Sequence, residues 1–439
     1  MSRGSVVVAG AGLAGLAAAV GLVAAGKKVT LLESTQKGGG RAYSFPHSFT
    51  KSSGKQFSLD NGQHIMLGCY HQTFQFLERL NSLHLLKIQE KMEVNMTDRY
   101  RNSFRLRSGS LPYPLDLLQA LLGFDHLSFK QKVSAIAFIT KLRFVNPEKL
   151  KKITVAEWLK SEGQTNELFS GIWDILCTGA MNSSPDQASA EVFARILKVI
   201  FLEGKRNARI VVPGVDLSAL FVERAIGYIE AGGGEVRFSE PVQAIEASAG
   251  RVRSVITRGG RIEEPEALIL AMQAHSLQKI VGIDEFIPGI GGYEMQYSSI
   301  TSFHLHIENY TLPHDFIALI DSPVQWVFSH GEYISTVTSA STDWESMREE
   351  EILALIKSEL NTYLGITDAN ITSHKMIKEK RATFVCGGEN LNHRPGTVTQ
   401  LKNLFLAGDW TDTGLPATIE GAIQSGHSAA EKVLALKIS

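Results

Sequence analysis

A chain of 439 residues, 44% of them hydrophobic and 20% charged, exceeds the usual size of a single core and calls for two or more subdomains. Lys plus Arg total 44 against 45 for Asp plus Glu, and the net charge of −1 speaks against nucleic acid as the main partner. Three cysteines, Cys69, Cys177 and Cys386, stand far apart without metal-ligand spacing, so neither a metal site nor a disulfide framework is read, and a reducing cytosol is the expected compartment.

The chain opens on Val6-Val7-Val8-Ala9, a buried-strand pattern that runs into Gly10-Ala11-Gly12-Leu13-Ala14-Gly15. Leu16 to Ala25 then reads as a helix stopped by Gly26, and Lys28 to Glu33 as a second strand ending in an acid. A strand–turn–helix–strand unit of this kind binds a dinucleotide. Gly10 permits the tight turn, Gly12 lets backbone approach a pyrophosphate, and Gly15 lets helix and strand pack closely. Around Ala11, Leu13 and Ala14 the helix start offers free N–H groups to phosphate oxygens. Glu33 stands where a carboxylate accepts from ribose hydroxyls, and Ser34 follows it. Gly38-Gly39-Gly40-Arg41 then predicts backbone passing close to the ligand, with a guanidinium for phosphate, although a flexible loop with a solvated arginine fits the same residues.

Asp60-Asn61-Gly62-Gln63-His64 is a polar turn after a short strand, followed by a helical pattern over Thr73 to Leu80. Residues 90–107 alternate as a hairpin does, and from Leu111 to Leu202 the pattern is helical throughout. Within 111–149, apolar residues interleave with Lys130, Lys132, Lys141 and Arg143, which suits helices lying at a bilayer surface and equally a set of core helices with solvated lysines. No apolar run reaches the eighteen residues of a membrane span. Asp216 is a plausible cap for a helix through Ile229, and strands follow at Glu235 to Phe238, Val242 to Ala247, Val252 to Thr257 and Ala267 to Ala271.

Residues 293–340 read as alternating strands with a turn around Gly331, and Trp344 to Leu364 as an amphipathic helix capped from Ser341 to Asp343. His304 and His306 share a strand face, but no third ligand has the right context for a metal. Near the C-terminus, Leu404 to Ala407 is a buried strand ending in Gly408-Asp409, and Ala417-Thr418-Ile419 begins a helix running to about Leu436. Asp409 suits a ribityl hydroxyl, and the helix start presents positive charge to whatever lies before it, worth roughly 0.3–2 kcal/mol. Such an end favours a reduced flavin, which carries negative charge.

Taken together, Gly10-x-Gly12-x-x-Gly15, Glu33, Gly39-Gly40-Arg41, Leu406-Ala407-Gly408-Asp409 and Glu420-Gly421-Ala422 resemble the superfamily of FAD-dependent amine oxidases and carotenoid desaturases. Asp60 to His64, Gln325 to Phe328, Glu379 to Phe384 and Ala407 to Thr411 with Gly414 to Gly421 resemble its hydroxysqualene dehydroxylase branch. The resemblance spans essentially the whole chain. It implies an α/β fold with a Rossmann-type FAD domain (1–80, 205–285, 386–439) and a substrate domain of mixed sheet plus helices (81–204, 286–385). It implies FAD with its pyrophosphate near Arg41, its adenine near Val242, and its ring between Asn61–His64 and Ala417–Ile419. The implied substrate is hydroxysqualene, reduced to squalene by a protein peripheral to the inner membrane surface, with the electron donor unread. Loss of an allylic hydroxyl needs an acid; His64 is the first candidate and Asp60 the second, and His64 equally suits plain cofactor or backbone contact. Two other readings stand beside this one: an oxidative desaturase or amine oxidase, and a non-catalytic prenyl-binding escort of the same fold.

Overall fold

The computed structural model describes residues 5–49 and 55–436. Five parallel strands form its first sheet, in the order Glu235–Arg237, Val29–Leu32, Val6–Ala9, Ala267–Leu270, Leu404–Leu406. All three central strands are apolar on both faces except for Thr30 and buried throughout, as a parallel sheet covered on both sides requires. The helix Leu13–Ala24 covers one face and packs on the helix Ile419–Leu434, bringing residues from opposite ends of the sequence together. That contact is backbone-close: a Cβ on Gly426 would lie 2.1 Å from the Ala14 carbonyl oxygen.

An antiparallel meander, Val242–Ser248, Arg251–Thr257 and Gly260–Glu263, flanks this sheet. Its last strand is absent from the sequence reading, because Gly260 to Glu263 is short and mostly exposed. The second large sheet has seven strands in the order Ile371–Phe384, Tyr297–Ile307, Tyr333–Thr338, Trp326–Ser329, Phe316–Leu319, Glu93–Thr97, Ser103–Arg107. Both anticipated hairpins form, one pairing Glu93–Thr97 with Ser103–Arg107, the other pairing Trp326–Ser329 with Tyr333–Thr338. One face of this sheet packs on the helix Glu349–Leu364 through Phe303, Leu305, Ile334, Ile352 and Ile356. Its other face, with Ile300, Trp326, Phe328 and Val337, looks into a cavity.

Helices between Leu115 and Leu202 close that cavity from the far side. The helix Phe129–Lys141 starts on a Ser128/Gln131 capping box. One expected boundary moves. Thr342–Trp344 is a lone 3-10 turn, and the long helix starts only at Glu349. The Ser341 hydroxyl is engaged by Ser299 and Thr301, and the acidic run Glu349–Glu351 is what favours a helix N-terminus. Likewise, the helix after Asp216 opens as a π-turn, Ser218–Val222, before Glu223–Ala231.

Candidate active site

A single cavity of about 820 Å3 joins the glycine turn to an apolar chamber. Gly10, Gly12, Leu13, Ala14, Glu33, Ser34, Gly39, Gly40 and Arg41 line one end. Asn61, Gly62, Gln63, His64, Val242, Gly408, Asp409, Ala417, Thr418 and Ile419 line its continuation. Beyond them the walls are Met92, Leu117, Leu121, Ile139, Ile172, Leu176, Phe201, Trp326 and Phe328 among others. Polar cradle and greasy chamber are therefore one space.

Three predicted residues stand behind the wall. Ala11 donates its N–H to Glu33 Oε2 at 2.8 Å, and its carbonyl accepts from Gly39 N at 2.7 Å, tying turn, acid and glycine loop together. Gly15 lies beneath the turn, where a Cβ would sit 1.8 Å from the Gly10 carbonyl oxygen. Asp60 is the third, and its candidacy as acid is corrected here: Oδ1 accepts from Ser44 Oγ at 2.7 Å and from Leu217 N at 2.9 Å, and the residue is not part of the cavity wall. Burial raises its carboxyl to about 6, against the pull of those two donors. Asp60 pins the turn that follows it. Its carbonyl meets Nε2 of the buried His304 at 3.0 Å, while His304 Nδ1 meets Ser335 Oγ at 2.7 Å. His306 instead meets Thr372, and the described residues contain no cluster of three groups able to hold a metal.

The three glycines separate by cause. Gly10 has φ +109° and a Cβ would meet Ala271 O at 2.3 Å, so the protein itself forbids a side chain there, as it does at Gly15. Gly12 is different. Its backbone is extended (φ −73°, ψ 174°) and a Cβ would find nothing nearer than Gly40 Cα at 4.0 Å. Only something occupying the cavity would exclude a side chain at that point, which is where a phosphate reaches a helix N-terminus. A second sign is Gln63 Nε2, buried in the wall with no hydrogen-bond partner among the described residues. An unmatched buried donor costs about 1–3 kcal/mol, which a ligand acceptor offsets. Both features fit a bound dinucleotide.

Arg41 donates through one terminal nitrogen to both Asp409 oxygens at 2.6 Å, and through the other to Ala382 O. Burial lowers the affinity of Arg41 for its proton, but Asp409 more than restores it, so the cation is held firmly. The pair spans the cradle. A carboxylate has about four acceptor positions, so Asp409 keeps capacity for a ligand hydroxyl. Glu33 is committed in the same way, accepting from Ala11 N, Thr35 N and Thr35 Oγ1 at 2.8–2.9 Å. Thr418 caps the last helix by accepting from Gly421 N at 3.0 Å.

His64 lines the cavity with its pKa driven down to about 4 by burial and by the Arg41 charge. Its imidazole is neutral at pH 7.

Arg394, which sequence reasoning passed over, organises the loop that carries Asp409. It is buried, lies 4.7 Å over the Phe384 ring, and donates to the carbonyls of Asp409, Trp410, Thr411 and Leu415 and to Thr413 Oγ1. No spacing in the sequence marks it, because its acceptors are carbonyls of a loop. Tyr70, between Leu67 and the helix His71–Arg79, is the other omission: it lines the cavity beside Ile419 and Ala422. Neither Cys177 nor Cys386 lines the cavity.

The model of the flavin containing amine oxidoreductase family matches residues 13–434. A hydroxysqualene dehydroxylase of Rhodopseudomonas palustris is 30% identical over 98% of each chain, and one of Zymomonas mobilis is 28% identical over 97% of this chain and 98% of its own. A 15-cis-phytoene desaturase of Synechococcus elongatus is 22% identical over 98% and 96%. Among solved structures, an oxidoreductase from Methanosarcina mazei aligns with a TM-score of 0.74 at 16% identity, over 97% of this chain and all of that one. Putrescine oxidase bound to putrescine aligns at 0.68, also with 16% identity, over 99% of both. With the fold, the glycine cradle and the full-length match in agreement, the chain belongs to the flavin-containing amine oxidoreductase family and is an FAD-dependent oxidoreductase.

Proposed function

We propose that this enzyme reductively removes the allylic hydroxyl of hydroxysqualene, giving squalene. The observation that carries the reading is the continuity of the FAD cradle with a chamber walled by Leu, Ile, Met, Val, Phe and Trp side chains. A hydrocarbon chain of isoprenoid length gains about 25 cal/mol per Å2 on entering such a space, and the dehydroxylases at 28–30% identity point to the same substrate. When bound and reduced, FAD supplies hydride. The protein's part is to hold the cofactor by the turn Gly10–Gly15, Glu33, Arg41 and Asp409, to exclude water from the allylic centre, and to deliver a proton to the leaving oxygen. Water exclusion matters because a carbon losing hydroxide is open to attack by solvent.

We further propose that the enzyme works against a membrane. Among the described residues no helix is long and apolar enough to cross one. Of the twelve large hydrophobic side chains left exposed among the described residues, six fall within 111–144: Leu111, Leu115, Leu122, Phe129, Val133 and Phe144. Phe129 and Phe144 are 75% and 82% exposed, beside exposed Lys130, Lys141 and Arg143, a combination suited to an interfacial surface. The helices Leu115–Leu122 and Phe129–Lys141, which carry four of these six, turn Leu117, Ala120, Leu121 and Ile139 to the chamber.

Anaerobic incubation of dithionite-reduced holoenzyme with hydroxysqualene, followed by mass spectrometry of the extracted lipid, tests the reaction. Squalene in amounts tracking enzyme concentration supports it. Hydroxysqualene recovered unchanged, with phytoene desaturated under oxidising conditions, overturns it in favour of the oxidative reading.

A further inference from the structure

The reductive reading leaves its proton donor unassigned, and this inference rests on that reading. His64 is neutral at working pH, and the carboxyl of Asp60 is turned away from the cavity. In the chamber wall, Asn182 is saturated, donating to Thr383 Oγ1 at 2.9 Å and Ser298 O at 3.4 Å and accepting from Ala340 N at 2.7 Å. Among the described residues this wall carries one phenol. Tyr70 lines the cavity between the start of the helix Ile419–Leu434 and the apolar walls Leu67, Ile200 and Phe201.

Its placement is rigid. Tyr70 N donates to Leu67 O and Tyr70 O accepts from Phe74 N, both at 3.0 Å. Immediately beyond it, Glu420 accepts from Gln72 N at 2.8 Å, Thr73 N at 2.9 Å and Thr73 Oγ1 at 2.7 Å, locking this turn to the helix that bears Ile419. All that lets Tyr70 move is its own side-chain torsions, and no hydrogen bond ties its hydroxyl to another described residue in the cavity wall.

We propose that the Tyr70 hydroxyl donates the proton to the leaving oxygen of the substrate. The O–H bond of Tyr70 breaks as a new one forms on that oxygen. The C–O bond breaks with its electron pair going to oxygen, and water departs. When bound and reduced, FAD would supply the hydride that restores the electron pair carbon loses, and the phenolate recovers a proton from solvent before the next turnover. Transfer is downhill late in bond breaking, because departing hydroxide is the conjugate base of water, pKa about 15.7, whereas an ordinary phenol is near 10. Burial pushes the Tyr70 phenol above its ordinary range, so the proton is in place throughout the working pH range and no charge is buried before reaction.

The test is squalene formation by reduced holoenzyme of the wild type, Tyr70→Phe, and protein carrying 3,5-difluorotyrosine at position 70. Tyr70→Phe keeps the ring, so FAD content and KM stay near wild type while kcat falls on the order of 10²–10⁴-fold. The wild-type rate is level from pH 6 to 8, and difluorotyrosine, a stronger acid, brings a falling alkaline limb to lower pH. Tyr70→Phe turning over within about threefold of wild type overturns the proposal. So does a wild-type rate that falls steadily from pH 5 upward, as a His64 donor requires. A wild type that forms no squalene strikes the reductive reading itself, which is a separate outcome.

Discussion

Placing a side chain at Gly12 separates cofactor binding from folding. The backbone there is extended, a conformation open to any residue, and a Cβ meets nothing closer than 4.0 Å. Replacing glycine with alanine where the backbone permits gains about 0.4–1 kcal/mol from the unfolded chain. Gly12 also caps the helix Leu13–Ala24, and alanine is a poorer cap by roughly 0.5–1.5 kcal/mol. The two nearly cancel, so Gly12→Ala should fold like the parent to within about 1 kcal/mol. FAD binding should not survive as well, since the new methyl projects where a pyrophosphate approaches. Gly12→Val should abolish retention altogether. FAD at a hundredfold excess over its Kd stabilises by about 2.7 kcal/mol, a few degrees of Tm for a chain of this size. The assay is the ratio of flavin absorbance at 450 nm to protein absorbance after desalting, with melting curves with and without added FAD. Wild type should be yellow and shift; Gly12→Val should be colourless, unshifted and normally helical by circular dichroism. Gly15→Ala is the contrast, because its Cβ would collide with Gly10 O at 1.8 Å and should damage the fold itself. A Gly12→Val protein that copurifies with stoichiometric FAD would refute the assigned cradle.

Other expectations follow from the same contacts. The Asp60 carboxyl, raised to about 6 by burial, binds its proton more tightly in the fold than in the unfolded chain, so its destabilising effect grows as pH rises from about 4 to 6 and is full above that. Asp60→Asn, which keeps an acceptor for Ser44 Oγ and Leu217 N, should match the parent at pH 4 and exceed it by up to roughly 3 kcal/mol at pH 8, in urea melts at the two pH values; a variant weaker than the parent at pH 8 contradicts the burial argument. Arg394→Met removes donors to four carbonyls and should release the 409–415 loop, which proteolysis and FAD loss would report; intact flavin content would deny the arginine that task. Phe129→Glu with Phe144→Glu deletes two exposed rings worth about 2 kcal/mol each in an interface, so flotation with anionic liposomes should weaken roughly a thousandfold, and unchanged flotation would remove the membrane proposal. Glu33→Ala leaves Ala11 N without its acceptor, so it should lower apoprotein stability by about 1–3 kcal/mol as well as FAD affinity; an apoprotein as stable as the parent's would show that the carboxylate serves the ligand alone.

Local pattern made much of this fold legible. The valine run before Gly10, the alternation from 90 to 107 and the turn at Gly331 each follow from backbone preference and side-chain period within a few residues. The cavity lining was legible where a glycine or an acid must sit at a set spacing, as at Gly12 and Glu33. What stayed hidden depends on partners far along the chain. Arg41 and Asp409 are 368 residues apart, and nothing near either one announces that they pair. Asp60 reads as a site acid because it precedes a polar turn, yet its carboxyl is directed by Ser44 and by Leu217 N, residues that meet it only through the fold. Trp344 looked like the start of a helix because its own periodicity is helical. The start moved because Ser341, its apparent cap, is taken by Ser299 and Thr301.

The contact of Gly426 with Ala14 carries a consequence for biogenesis. The glycine turn at Gly10–Gly15 leaves the ribosome long before residues 404–434, which complete the wall of its pocket. Nascent chains should therefore lack flavin until those residues emerge, with a greasy interior awaiting the helix Ile419–Leu434. Cells short of flavin, or chains stalled before residue 419, would then present that interior to chaperones and proteases.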